Sequence, residues 1–204
     1  MCGLLFYKAV QLFESGPISE IHISRRTSSC SYRNSDGVYA TTVHELAHRG
    51  HRDLDPGMFS IFESGSCTRK ILKESWAEGV ENVVTTDRYL GLDPGYQATR
   101  RLNNTRPTDL YNSNKQDEII NAGDKEQYTP IVIDLVDNYN QNFRIGTTRP
   151  RDNVNGYNLR QIQTSLNNAR GPHTWKENLI RDHFNMTEGF VEELFDEYMY
   201  DNCN

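Results

Sequence analysis

Long hydrophobic runs are what this chain most plainly lacks. Apolar residues make up 36% of its 204 positions and the mean hydropathy is −0.74, and no stretch approaches the roughly 20 apolar residues of a membrane-spanning helix. No membrane span is expected. Cysteine is scarce too. The four cysteines, Cys2, Cys30, Cys67 and Cys203, form no C-x-x-C pair, which removes zinc-ribbon and dithiol redox chemistry and leaves one or two disulfides open. Neither Cys30 nor Cys67 carries the local signature of a catalytic nucleophile. Neither sign of charge dominates in blocks: 22 Lys and Arg stand against 28 Asp and Glu, a net charge of −6. That is no electrostatic footprint for nucleic acid. Met1 to Lys8 hold neither a basic start nor a small-residue cleavage site, so no export signal is read there.

What the chain does have is aromatic surface. Its 11 Tyr, 8 Phe and 2 Trp exceed what disordered chains carry, and the length suits one folded domain over residues 1–204. Residues 9–13 and 18–24 alternate apolar and polar around Glu14-Ser15-Gly16-Pro17, a turn sequence, which predicts a β-hairpin. Ser35 or Asp36 can cap a helix through Val38, Val43, Leu46 and Ala47, with Gly50 as its stop. A second helix is expected over about 67–90, where Ile71, Leu72, Trp76, Val80, Val83 and Val84 recur near helical spacing before Gly91. Residues 1–90 thus read as a hairpin plus two site helices, and 91–127 as a long polar connection of a kind that is often functional.

Residues 128–204 read as a helical lobe. Ile131, Val132, Leu135, Val136 and Tyr139 mark one helix, Leu159, Ile162 and Leu166 a second, and Trp175, Leu179, Ile180 and Phe184 a third. A last helix is expected to start at a Thr187 cap and to carry Phe190, Val191, Leu194, Phe195 and Tyr198 on one side. Asn103-Asn104-Thr105 and Asn185-Met186-Thr187 match the glycosylation acceptor pattern, the second being explained more simply by that cap. A hairpin followed by helices makes the expected fold class α+β.

The chemistry sits at His44-Glu45-Leu46-Ala47-His48, an H-E-x-x-H sequence on the first helix. Positions i and i+4 share one helix face, so two imidazoles can reach one zinc ion at ~2.0–2.1 Å. Glu45 can then lean over the open coordination position as general base. Catalytic zinc takes a third protein ligand. Glu74 and Glu78 on the second helix are i and i+4, so one can ligate while the other accepts the ring N–H of a ligating histidine. A solvated acidic face is the plainer alternative for both. His51 lies three residues beyond His48, but about 10 Å along the axis from His44 in a straight helix. It completes the site only if Gly50 breaks the helix; the alternatives are a residue near the cleft or ordinary surface.

His44-Glu45-Leu46-Ala47-His48 followed by Glu74-Ser75-Trp76-Ala77-Glu78 resembles the zincin metallopeptidases, in their gluzincin branch. It is similar in particular to bacterial surface proteins with an H-E-L-[AG]-H helix and a later E-x-W helix. The resemblance covers about residues 18–90. It implies a zincin-like α+β fold, Zn2+ held by His44, His48 and Glu74, Glu78 as the acidic partner four residues on, and a secreted or cell-surface bacterial setting. It also implies that a strand at Glu20–Ser24 pairs with an extended substrate through the backbone near His22 and Ile23.

The expected function is therefore a zinc-dependent metallopeptidase-like hydrolase acting on a peptide or protein, with Glu45 as general base. His173, His183, Tyr139 and Tyr157 are candidates for stabilising the oxyanion. The competing class is a non-catalytic module that keeps the metal site and binds a cell-surface glycan or a protein partner. A third reading, a peptidase confined to one partner, has the same residues.

Overall fold

The computed structural model describes residues 34–60, 67–94, 96, 128–137, 153–196 and 198. Six α-helices lie in them: α1 Ser35–Leu54, α2 Cys67–Leu90, α3 Ile131–Val136, α4 Leu159–Ser165, α5 Pro172–Asp182 and α6 Val191–Phe195. Short 3-10 turns follow α1 (Pro56–Phe59) and precede α6 (Glu188–Phe190). No strand occurs among the described residues, so the expected α+β class with a zincin-like sheet is corrected to an all-helical arrangement there. The physical reason is that within the described helices the apolar residues repeat at helical spacing and bury their stripe against another helix, not at the period of 2 that a strand needs. The hairpin at 9–24, with the substrate-pairing strand at Glu20–Ser24, lies outside the described residues. So do 97–127, most of the polar connection.

α1 and α2 pack side by side and antiparallel: Tyr39 meets Tyr89, His44 faces Glu78 and Glu81, and His48 faces Glu74. Trp76 donates its indole N–H to the Ala47 carbonyl at 3.2 Å and so ties α2 to the backbone of α1 beside His48. On the other side of α2, Gly79 admits α3. A Cβ at Gly79 would stand 2.3 Å from the Val132 Cβ, closer than any side chain tolerates. Ser75 continues that contact, its hydroxyl accepting the Thr129 N–H at 2.7 Å. One apolar cluster runs from Ala47, Phe59, Leu72 and Trp76 through Ile131 and Leu135 to Ile162, Trp175, Leu179 and Phe195. The described residues within 34–90 and within 128–198 thus share a core, with Asp55 paired to Arg170 and accepting the Asn168 N–H at 3.0 Å to pin the end of α1 to the loop after α4.

Several boundaries differ from the periodicity. Gly50 does not stop α1, which continues to Leu54. The roughly 1 kcal/mol that glycine costs inside a helix is offset by the extra turn, which places His51 in the interior at 0% exposure against Phe59. No side chain caps α1; Asp36 instead accepts the Gly37 N–H and the Tyr96 hydroxyl. Thr187 is no cap either: its hydroxyl lies 2.7 Å from Asn185 Oδ1, and α6 starts only at Val191. The third lobe helix ends at Asp182, so Phe184 falls outside it and is exposed. α2 spans the expected residues.

Candidate metal centre

The antiparallel packing of α1 on α2 brings three donor atoms together. His44 Nε2 and His48 Nε2 lie 3.1 Å apart, and Glu74 Oε2 is 3.6 Å from the first and 3.4 Å from the second. A tetrahedral ion with bonds of ~2.0–2.1 Å separates its ligands by about 3.3 Å. The circle through these three atoms has a radius of about 2 Å, so His44, His48 and Glu74 would hold a cation whose bonds are about that length. The donor set, two imidazoles and one carboxylate, is borderline in softness and suits zinc among several divalent metals. The residues fit the group.

The electrostatics follow from crowding of opposite charges among largely buried side chains. Burial pushes the His44 ring towards neutrality, but the carboxylates of Glu74, Glu81 and Glu78 overcome it and raise its pKa to about 10. Burial disfavours the Glu74 carboxylate, and the two imidazoles reverse that and hold it well below the usual carboxylate range. Glu45 moves the other way. It is buried, and that burial raises its pKa against the opposing pull of His44 and His48.

The sequence-derived residues fare differently. His44, His48 and Glu74 converge, with Glu45 electrostatically coupled to all three. Glu78 lies on the same stripe of α2, 3.7 Å from His44 Nδ1. His51 is neither a ligand nor a surface residue. α1 runs unbroken past Gly50, and the His51 ring is fully buried, edge-on to Phe59 at 5.2 Å between centroids, with neither nitrogen hydrogen-bonded. Of the oxyanion candidates, His173 pairs with Glu177, His183 contacts Thr164, and Tyr157 sits in the core with its hydroxyl unpartnered and its pKa pushed up to about 12 by burial. Tyr139 is outside the described residues.

Two participants were missed. Glu81 Oε2 lies 3.1 Å from His44 Nδ1, closer than Glu78. Its signal was present, since 74, 78 and 81 are i, i+4 and i+7 on one face. Phe59, edge-on to both His48 and His51 and carrying the Lys73 ammonium 5.1 Å from its ring centroid, walls the site at the end of α1. Nothing local in the sequence marks it. Cys67, at the first position of α2, is disulfide-bonded. No family model, curated protein or solved structure matches the chain.

Proposed function

We propose that this chain is a metal-dependent hydrolase of the metallopeptidase type, with His44, His48 and Glu74 as ligands of a zinc ion and Glu45 as general base. The single observation that carries the reading is the convergence of three donor atoms, 3.1 to 3.6 Å apart, from two helices. A zinc ion there would supply Lewis acidity, lowering the cost of deprotonating water and polarising a peptide carbonyl. The two imidazoles and the Glu74 carboxylate bind and orient. Glu45, one residue after the first ligand, takes the proton of the attacking water on a carboxylate oxygen and hands it to the departing amine. Its burial suits that role, because a carboxylate with a raised pKa is a better base near neutral pH. Peptides or proteins are the proposed substrates, and the disulfide at Cys67 supports an oxidising, secreted or cell-surface setting.

A non-catalytic module that retains the metal is favoured by one observation: His173, His183 and Tyr157 are engaged or buried elsewhere. The Glu45→Gln variant separates the two. A peptidase binds one equivalent of zinc in both forms and cleaves an unfolded protein about 100-fold or more slower in the variant. Equal inertness of both forms, with zinc bound, favours the binding module.

A further inference from the structure

The nitrogens of the two ligand histidines that face away from the converging atoms have unlike surroundings. Both Nδ1 atoms are buried without a hydrogen bond, and they differ in the carboxylates beside them. His44 Nδ1 faces two carboxylates, Glu81 Oε2 at 3.1 Å and Glu78 Oε2 at 3.7 Å. We propose that Glu81, rather than Glu78, is the positioning residue of the centre: its carboxylate takes the Nδ1–H of His44 and holds the tautomer that leaves Nε2 bare toward His48 and Glu74. The inference rests on the cation-site reading above.

Three observations separate the two glutamates. Glu81 is the nearer. Its side chain is 4% exposed against 12% for Glu78, so water competes less for its oxygens and its contact with the imidazole is electrostatically stronger. And α2 is not free to roll so that Glu78 replaces it. Gly79 against Val132 on one side and the Trp76 indole on the Ala47 carbonyl on the other fix the helix rotation. The 3.1 Å contact falls short of hydrogen-bond geometry in the metal-free chain, as is common for such contacts before a site is loaded. His44 is then the anchored ligand, and His48, with no such partner on its Nδ1, the adjustable one.

The test uses the full chain and its E81A, E81Q, E78Q and E74Q variants, with Co2+ or Zn2+ affinity measured by competition with a chromophoric chelator. The 15N spectrum of the His44 ring, recorded at a pH above about 10 where the metal-free ring is neutral, reports its tautomer independently of metal, and thermal melts report folding. E81A should bind the cation about 10–100-fold more weakly, while E78Q changes affinity by less than about threefold. E81Q, whose amide oxygen can still accept the Nδ1–H, should lose less than E81A and keep the His44 tautomer. The proposal is overturned if E78Q weakens binding as much as E81A, or if two cations bind per chain, since His44 Nδ1, Glu78 and Glu81 would then themselves be ligands. Should E81A not fold, E81Q against E78Q decides. A wild-type chain that takes up no cation, like E74Q, defeats the cation-site reading itself. The His44 tautomer then judges Glu81 alone, and a ring with Nδ1 bare in the wild type overturns its role.

Discussion

His51 should make this protein acid-sensitive in a way that one substitution removes. Its ring is fully buried, and burial, the largest influence, lowers its pKa from 6.5 to about 4. Asp55 pulls the value up, and the neighbouring His48, Lys73 and Arg170 push it down. Because the folded pKa lies below the unfolded one, the unfolded chain binds a proton between these two values that the folded chain refuses. Stability is therefore full above about pH 6.5 and falls as pH drops toward 4, at up to about 1.4 kcal/mol per pH unit. Over that window the loss reaches about 3 kcal/mol, or roughly 6–12 °C in Tm for a chain of this size. The assay is a series of thermal melts from pH 7.5 to 4 on the wild type and on His51→Phe, which keeps a ring against Phe59 but cannot titrate. Carboxylates contribute an acid limb to both proteins, so the difference between the two curves isolates His51. Parallel curves, or an imidazole that titrates near 6.5 by NMR, would refute the reasoning.

Two further predictions follow from the packing of α1 on α2. With its pKa raised to about 10 by Glu74, Glu81 and Glu78 against the opposing effect of burial, His44 carries a proton in the metal-free protein at neutral pH. That pairing stabilises the metal-free fold fully below about 6.5 and is lost as pH rises through about 10. Cation uptake must then expel about one proton, and calorimetry in buffers of different ionisation enthalpy should count it; zero release contradicts the assignment of His44 as ligand. Gly79→Ala puts a methyl 2.3 Å from the Val132 Cβ and should cost about 1–3 kcal/mol in urea denaturation. A neutral result would mean that α3 does not press on α2 as described.

The division between what was legible in the residues and what was not follows from the range of the interactions. H-E-x-x-H is a local statement: once residues 35–54 are helical, His44 and His48 share a face whatever the rest of the chain does, because i and i+4 lie about one turn apart. The same holds for Glu74, Glu78 and Glu81 on α2. The candidate donor types, the glutamate beside the first histidine and the two helices that present them are therefore properties of the sequence alone. How far one helix slides and rolls against the other is not. That level was decided by Gly79 admitting Val132 and by Trp76 reaching the Ala47 carbonyl, contacts between segments up to 53 positions apart, and it selected Glu81 over Glu78 as the nearer neighbour of His44. Tertiary burial likewise carried α1 through Gly50 and drew His51 into the core beside Phe59, because a shared apolar interior outweighs the weak local preference of one glycine to end a helix.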